Sequence, residues 1–268
     1  REPGYLKDVR AFTLGTMADT SHPDSDLKAL LSWPSIASKS WVYRQYDHTV
    51  RACSVVRPGS DAAVLRIKED SLPAAGETSN STAKDPNWEK FIALTVDGNA
   101  AYVYLDPYEG GKIAVAEAAR NLACSGATPL GVTDNLNFGN PHHPEIFYQL
   151  KRSVEGLAEA CRVFDVPVTG GNVSLYNQSP AGPIDPTPTV AMVGLMDDPA
   201  RRAGLEFRRP GDVIVLLGRN VGQIGGSEYL VAVHGRVAGP VPRADLDAER
   251  RVGLACRRAV REGLVQSA

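Results

Sequence analysis

The sequence predicts an α+β fold in which helices pack on a mixed β-sheet. Short apolar runs with strand character alternate along the chain with two long helical patterns, an order typical of a sheet covered by helices. One strand ends in Asp97-Gly98-Asn99, a turn signal that favours an antiparallel hairpin. A sheet that combines a hairpin with helix-connected strands contains both antiparallel and parallel pairs.

The composition excludes several classes of protein. The 268 residues are 43% hydrophobic, enough for one large or two smaller domains, and the net charge is −2, so no global basic field attracts nucleic acid. No apolar run is long enough to span a bilayer and no signal peptide opens the sequence, so we expect a cytoplasmic protein without membrane contact. The four cysteines are far apart, which predicts reduced thiols rather than a disulfide or zinc framework.

The pattern divides the chain into three parts. Residues 1–50 are expected to form a linker with short helices, and residues 51–205 the principal domain, interrupted by an exposed, mobile insertion at residues 69–88. Residues 206–268 are expected to begin a truncated α/β domain whose strand is residues 213–217. One strand and two helices cannot bury a core alone, and the sequence does not begin with Met, so we expect a fragment.

The elements of the principal domain follow from apolar periodicity and from Gly and Pro positions. Residue Gly126 stops an alanine-rich helix, and a second helix repeats its apolar residues at spacings of three and four. The predicted strands are residues 63–67, 91–96, 102–105, 130–134, 166–168 and 188–196, and the predicted helices are residues 112–125 and 146–161.

Three polar segments follow predicted strands, and together they favour a site for a metal–nucleotide complex. They are Asp97-Gly98-Asn99, Asp134-Asn135 and Gly170-Gly171-Asn172-Val173-Ser174. Carboxylate and amide oxygens suit Mg²⁺, and glycine lets phosphate approach the backbone N–H groups. Lys112, expected at a helix start, would neutralise phosphate. The alternatives are that Gly170-Gly171-Asn172 is an ordinary strand-end turn and that Asp97 serves only its own turn.

Several longer motifs resemble one family, the synthetase subunit of phosphoribosylformylglycinamidine synthase. The motifs are Pro58-Gly59-Ser60-Asp61-Ala62-Ala63-Val64, Tyr104-Leu105-Asp106-Pro107-Tyr108, the run from Gly110-Gly111-Lys112 to Ala119-Arg120-Asn121, Asp134 with Leu136-Asn137-Phe138-Gly139-Asn140-Pro141, and Gly170-Gly171-Asn172-Val173-Ser174. The resemblance runs from about residue 26 to residue 218.

The resemblance implies a fold, an activity and partners. The fold is a tandem duplication of an aminoimidazole-ribonucleotide-synthetase-like domain followed by a C-terminal domain, and this chain is similar to the second copy. The implied activity is the ATP-dependent conversion of formylglycinamide ribonucleotide to its amidine through an iminophosphate. The family takes ammonia from a separate glutaminase subunit, bridged by a small third subunit.

The resemblance also assigns residues. Asp134 and Gly171 are expected to contact ATP, Asn172 to ligate Mg²⁺ and Ser174 to contact the ribonucleotide substrate, while the catalytic histidine lies in the family's other half. We therefore expect no catalytic residue here and no synthetase activity from the chain alone.

Two other interpretations stay open. One is another enzyme of the aminoimidazole ribonucleotide synthetase superfamily, and the other is a non-catalytic nucleotide-binding or dimerisation module. The pairing surface is expected to be filled either by the missing N-terminal half or by a second copy of the chain, because exposed sheet edges tend to find partners.

Overall fold

The computed structural model describes residues 1–68 and 90–268, so the insertion predicted at residues 69–88 lies outside the described residues. The strands are β1 (Ser54–Val56), β2 (Ala63–Ile67), β3 (Lys90–Asp97), β4 (Thr128–Asn137), β5 (Val168–Ser174), β6 (Gln178–Ser179), β7 (Gly182–Pro183) and β8 (Thr187–Met196). The helices are α1 (Leu6–Ala11), α2 (Pro23–Ser32), α3 (Ser40–Tyr43), α4 (Ala100–Leu105), α5 (Pro107–Ser125), α6 (Pro144–Phe164), α7 (Glu228–His234) and α8 (Leu246–Arg261), with short 3₁₀ turns at Leu14–Thr16 and Val50–Ala52.

Six strands form one mixed sheet in the order β1-β2-β3-β8-β4-β5, and β6 and β7 form a small separate ribbon. Strand β8 pairs antiparallel with β3 on one side and with β4 on the other, and β4 pairs parallel with β5. Strands β3, β4 and β5 therefore run in one direction, and their carboxyl ends meet at the same edge. The predicted α+β class and mixed sheet are confirmed.

One face of the sheet, the helix face, is covered by α5 and carries buried residues such as Ala93, Val132 and Val190. Helix α6 packs on α5 at close range, because Gly111 lies so near the chain of α6 that a Cβ there would come within 2.5 Å of the Ser153 carbonyl oxygen. Alanines along α5 leave room for this approach. Burying its Leu122 side chain contributes roughly 1.5–3 kcal/mol to stability.

The hairpin predicted after Asp97 is wrong. Residues 100–105 form α4 instead, and the Asn99 side chain caps that helix by accepting a hydrogen bond from the Tyr102 backbone N–H at 3.0 Å. Asparagine suits both turns and helix N-caps, and the two alanines that follow it favour helix. Strand β3 finds its neighbours in β2 and β8 rather than in the next segment of chain.

Two other predicted boundaries are wrong. Helix α5 begins at Pro107, not at Lys112, because the Asp106 carboxylate accepts hydrogen bonds from the backbone N–H groups of Tyr108 and Glu109, both at 3.1 Å. Strand β5 continues through the two glycines that were predicted to end it. The predicted helix 146–161 and strand 188–196 are confirmed with slightly longer bounds.

The segments that flank the sheet domain pack against it. In the N-terminal segment the Tyr5 ring stacks on Tyr104, with centroids 4.3 Å apart, and the Tyr5 hydroxyl donates to the Tyr104 carbonyl oxygen at 2.8 Å. On the C-terminal side, α8 packs against α5. The strand predicted at residues 213–217 is wrong: these residues form no strand in the described part of the chain, and Val213 is 85% exposed.

The described helices include none with both the length and the apolar composition needed to cross a membrane.

Candidate functional site

The strand register places three of the predicted polar segments in one row across the sheet. Asp97 of β3 and Asp134 of β4 both lie opposite Val190 of β8, and Asp134 lies opposite Gly171 of β5. Residues directly opposite one another share a face, and neighbouring strands are about 4.8 Å apart, so Asp97 and Asp134 are separated by about 10 Å. The register therefore brings the three segments into one row, but Asp134 and Gly171 lie inside β4 and β5 rather than in loops that follow the strands, as was predicted.

Asp134 and Gly171 are in direct contact. A Cβ at Gly171 would overlap both the backbone carbonyl oxygen and Oδ1 of Asp134, and the φ of Gly171 is +154°. Only glycine therefore lets β5 pair with β4 at this point while the Asp134 carboxylate stays in place. Burial raises the pKa of Asp134. The carboxylate also lies near α6, where burial first and then the charge of Asp134 raise the pKa of Cys161 to about 11.

The four predicted site residues do not all lie on one face. Alternation along the strands places Asp134 and Gly171 on the helix face, whereas Asn172 and Ser174 lie on the opposite face, which we call the open face. Asn172 is exposed and Ser174 is half-buried. Near the carboxyl ends of β4 and β5, the helix face therefore carries a carboxylate and the open face carries amide and hydroxyl groups.

One further polar residue on the open face, Asn137, was missed as a site residue by the sequence reasoning, whereas Asn135 belongs to the predicted segment Asp134-Asn135. Asn135 and Asn137 lie opposite Asn172 and Ser174 in the β4–β5 register, and the Asn137 amide donates to Asn135 Oδ1 at 2.9 Å. The Asn177 amide holds the end of β5 by donating to the Ser174 carbonyl oxygen at 2.9 Å. The alternation of Asn135 and Asn137 with apolar residues was the available signal, but the segment was interpreted as a loop.

Strand β5 is the last strand of the sheet, so its outer edge carries no neighbouring strand in the described part of the chain. Backbone N–H groups along such an edge are free to donate. Open space surrounds the position that a Cβ on Gly170 would occupy. The edge therefore combines free N–H donors with bare backbone, which suits phosphate oxygens.

A second cluster of polar groups lies between the carboxyl end of β3 and helix α5. The Asn121 amide donates to Asp97 Oδ1 at 2.6 Å. Burial raises the pKa of Asp61, Asp97 and Glu117, and the charge of Asp97 raises the pKa of Asp61 and Glu117 further. These carboxylates repel one another and are shielded from water, an arrangement that is common at functional sites.

The donor set limits how a metal ion is held. Among residues 1–68 and 90–268, no group of three or more His, Cys, Asp or Glu is arranged to hold a metal ion. The exposed Asn172 amide oxygen is a suitable hard ligand, and it fits an ion such as Mg²⁺ that keeps most of its coordination on phosphate and water oxygens.

Lys112 does not stand at a helix start and does not face the β5 edge. It is buried in the second turn of α5, where its Nζ lies 3.1 Å from Glu109 Oε1 and 5.5 Å from the centroid of the Tyr108 ring. Glu109 also accepts from the Ala244 backbone N–H through Oε2 at 3.1 Å. The Lys112 charge is thus used within the fold, and the expectation that it neutralises phosphate receives no support from its position.

A family profile described as AIR synthase related protein, N-terminal domain, matches residues 59–196, just over half of the chain. The chain belongs to this family. Strands β2, β3, β4, β5 and β8 and helices α4, α5 and α6 all fall inside the match. The row from Asp97 to Gly171 is therefore part of the family domain.

Curated relatives match the chain from end to end. The phosphoribosylformylglycinamidine synthase subunit PurL of Moorella thermoacetica is 49% identical over 268 residues, which is 100% of this chain and 34% of that protein. The subunit PurL of Gloeobacter violaceus is 48% identical over 271 aligned positions, covering 99% of this chain and 34% of that protein. The chain thus spans about a third of the length of the curated relatives it matches.

Solved structures also match the fold of the chain. The structure titled "T. maritima PurL complexed with AMPPCP" matches with a TM-score of 0.56 at 27% identity, covering 85% of this chain and 31% of that one. The structure of PurLQS from Thermotoga maritima matches with a TM-score of 0.52 at 34% identity, covering 62% of this chain and 25% of that one. The predicted synthetase-like fold is confirmed.

Replacing Asp97 with Asn is expected to stabilise the chain at neutral pH. Burial raises the folded-state pKa of Asp97 above its unfolded value, so ionisation destabilises the fold progressively as pH rises from the unfolded pKa of about 3.9 through the higher folded pKa. The Asn side chain keeps an oxygen for the Asn121 amide and removes the repulsion from Asp61 and Glu117. Urea unfolding at pH 7 should therefore give a higher midpoint for D97N than for wild type.

The same comparison near pH 4 should show a smaller difference, because the unfolded chain then keeps more of its proton. The exposed Asp185 provides a matched control, since Asp185→Asn should show no comparable pH-dependent gain. A D97N protein that is less stable than wild type at pH 7, or a gain of equal size at both pH values, would contradict the role assigned to burial.

Proposed function

We propose that this chain is part of the ligase that converts formylglycinamide ribonucleotide to formylglycinamidine ribonucleotide in purine biosynthesis. The observation that carries the proposal is the 47–49% identity of the whole chain to PurL subunits from several bacteria. Because the chain spans about a third of those relatives, it holds part of the reaction site and does not complete the reaction alone. The ammonia would come from glutamine.

In this proposal the edge of β5 holds ATP. Solved PurL structures of Thermotoga maritima are titled as complexes with AMPPCP, ATP and ADP. In this chain the free N–H groups of β5 would donate to phosphate oxygens beside Gly170, and Asp134 would contact the nucleotide where Gly171 allows close approach. ATP would activate the formamide oxygen, and ammonia would then displace phosphate.

Magnesium and the ribonucleotide would occupy the open face beside this edge. Asn172 would contribute one oxygen ligand to Mg²⁺, whose other ligands would be phosphate and water. Ser174, held in place by Asn177, would donate its hydroxyl to the ribonucleotide, and one Thermotoga maritima PurL structure is titled as a complex with FGAR. The role of the chain is therefore to bind and orient the reactants.

Replacing Asn172 with Ala is expected to weaken binding of a non-hydrolysable ATP analogue in the presence of Mg²⁺ by about tenfold, corresponding to about 1.4 kcal/mol. The reason is loss of one metal ligand, so binding without Mg²⁺ should change little. Isothermal titration calorimetry of the purified chain with and without Mg²⁺ measures both values.

Asn220→Ala serves as the control, because Asn220 lies in the C-terminal segment, outside the sheet, and its side chain accepts a local hydrogen bond from the Gly222 N–H. Nucleotide binding that does not depend on Mg²⁺ and is unchanged in N172A would instead favour a non-catalytic nucleotide-binding module. Absence of binding to wild-type chain that is folded by circular dichroism would contradict an ATP site formed by these residues alone.

We also propose that the open face of the sheet pairs with another sheet, supplied by a second copy or by a related domain of a longer protein. Its apolar part lies on β3 and β8 and includes Leu94, Val193 and Val96, the last of which is 72% exposed. The structure titled PurLQS is that of an assembly of subunits, and the matching glutaminase and bridging subunits are proposed as further partners.

Replacing Val96 with Lys is expected to abolish self-association of the isolated chain, because the charge would have to be buried between two apolar faces. Sedimentation velocity over a range of concentrations should show dimers for wild type and monomers for V96K. Val213→Lys is the matched control, because Val213 is also exposed but lies outside the sheet. A wild-type chain that is monomeric at every concentration would contradict pairing of this face with a second copy.

A further inference from the structure

Helices α5 and α8 pack side by side in a parallel arrangement. Arg120 of α5 forms an ion pair with Glu249 of α8 at 2.8 Å. About one turn further along both helices, a Cβ on Gly253 would lie 3.8 Å from the Ala123 Cβ. Small residues on both helices allow this close approach, and the order of the two contacts fixes the direction of α8 relative to α5.

The next pair along this line consists of two cysteines. Cys124 follows Ala123, and Cys256 follows Gly253 by about one turn. One turn beyond Cys256, Val260 lies against Gly126, because a Cβ on Gly126 would come within 2.9 Å of Val260 Cγ1. Contacts on both sides therefore place the two thiols beside each other. The interaction with Cys256, together with burial, raises the pKa of Cys124, and the same interaction lowers the pKa of Cys256. The sequence predicted unrelated reduced thiols because 131 positions separate the two cysteines.

The contact between α8 and the end of α5 continues beyond the cysteines. Arg261 of α8 donates from Nε to the Gly126 carbonyl oxygen at 3.3 Å and from Nη2 to Thr128 Oγ1 at 3.2 Å. The two thiols are therefore bracketed by contacts on both sides. A disulfide requires the Cα atoms to be within about 7 Å, which close helix packing through Gly and Ala permits.

We propose that Cys124 and Cys256 are a redox modification site, which a hydroperoxide converts to a reversible disulfide joining α8 to α5. Both side chains are half-buried, so a small oxidant reaches them, whereas Cys161 is buried. The raised pKa of Cys124 and the lowered pKa of Cys256 fit an attacking role for Cys256 and a resolving role for Cys124.

Hydrogen peroxide is the oxidant, and the proposed reaction needs no other co-reactant. The Cys256 thiolate attacks one peroxide oxygen, the O–O bond breaks, and the second oxygen leaves as hydroxide, which takes a proton to become water. The Cys124 sulfur then attacks the Cys256 sulfenic acid, and a second water leaves as the S–S bond forms. Two thiols are oxidised, one peroxide is reduced, and a thiol reductant reverses the bond.

The disulfide would fasten the C-terminal helix to the helix that borders the acidic cluster. Helix α5 carries Glu117 and Asn121 of that cluster, and the charge of Asp61 acts on both thiols. The bond would close a loop of about 130 residues, and a longer loop gives a larger loss of entropy in the unfolded chain. We therefore expect the oxidised chain to resist unfolding more than the reduced chain.

Peptide mapping tests the linkage directly. The purified chain is treated with hydrogen peroxide, blocked with iodoacetamide, digested with trypsin without reductant and analysed by mass spectrometry. The expected product joins residues 121–151 to residues 252–257 and disappears after dithiothreitol treatment. Sulfinic or sulfonic acid at separate cysteines, a linkage to Cys53 in place of Cys256, or retention of both thiols would overturn the proposal.

Thermal unfolding supplies a second measurement with matched variants. Oxidation should raise the unfolding midpoint of wild type and of Cys53→Ser, but not of Cys124→Ser or Cys256→Ser. Reduced forms of all four proteins are compared first, so that any loss of stability caused by the substitution itself is subtracted. A midpoint that rises equally in C256S, or that does not rise in wild type carrying the linkage, would contradict the claim that this bond fastens α8.

Discussion

Strand β8 pairs antiparallel with β3 along one side and with β4 along the other, and the arrangement of the polar residues depends on this double pairing. Because β8 reverses direction between them, β3 and β4 run the same way, and β5 continues that direction by pairing parallel with β4. Asp97 and Asp134 are therefore held on either side of Val190, and Gly171 completes the row. A slip of one residue in any of these pairs would move a site residue to the other face of the sheet.

The acidic cluster beside β3 and the contact between Asp134 and Gly171 have a cost in stability that the proposed binding role would explain. Three carboxylates near the carboxyl end of β3 have pKa values raised by burial, so each opposes folding once it is ionised. A glycine without a Cβ lets the Asp134 carboxylate lie against β5. A purely structural sheet would gain from apolar residues at such positions, whereas a surface that handles phosphate and a hard cation needs oxygen ligands and bare backbone. Close packing of α5 on the sheet offsets part of this cost through buried side chains such as Leu122 and Val115.

The sequence predicted the fold class and most elements, because periodicity and glycine stops are local signals that tertiary contacts only refine. The prediction from sequence failed where one local signal fits two structures or where the outcome depends on a distant partner.

Asn99 fits a hairpin turn and a helix N-cap equally well, and only the pairing of β3 with β8 decides between them. Gly170 and Gly171 ended a strand in the prediction, yet β5 continues through them because it pairs with β4. Glycine is required at position 171 because the neighbouring Asp134 occupies the space that a Cβ would need. Residues 213–217 have the composition of a strand but lack a described neighbour to pair with. The roles of Asp134, Gly171, Asn172 and Ser174 remain proposals, and the register adds Asn137 beside them.

The proposed function depends above all on the proposal that the β5 edge holds the nucleotide. A crystal structure of the chain with Mg²⁺ and a non-hydrolysable ATP analogue is the direct test of this proposal. The expected result is phosphate oxygens within hydrogen-bond distance of the N–H groups of β5 near Gly170, and a magnesium ion with the Asn172 amide oxygen among its ligands. A nucleotide bound elsewhere, with the edge of β5 covered by protein or bare to solvent, would contradict it.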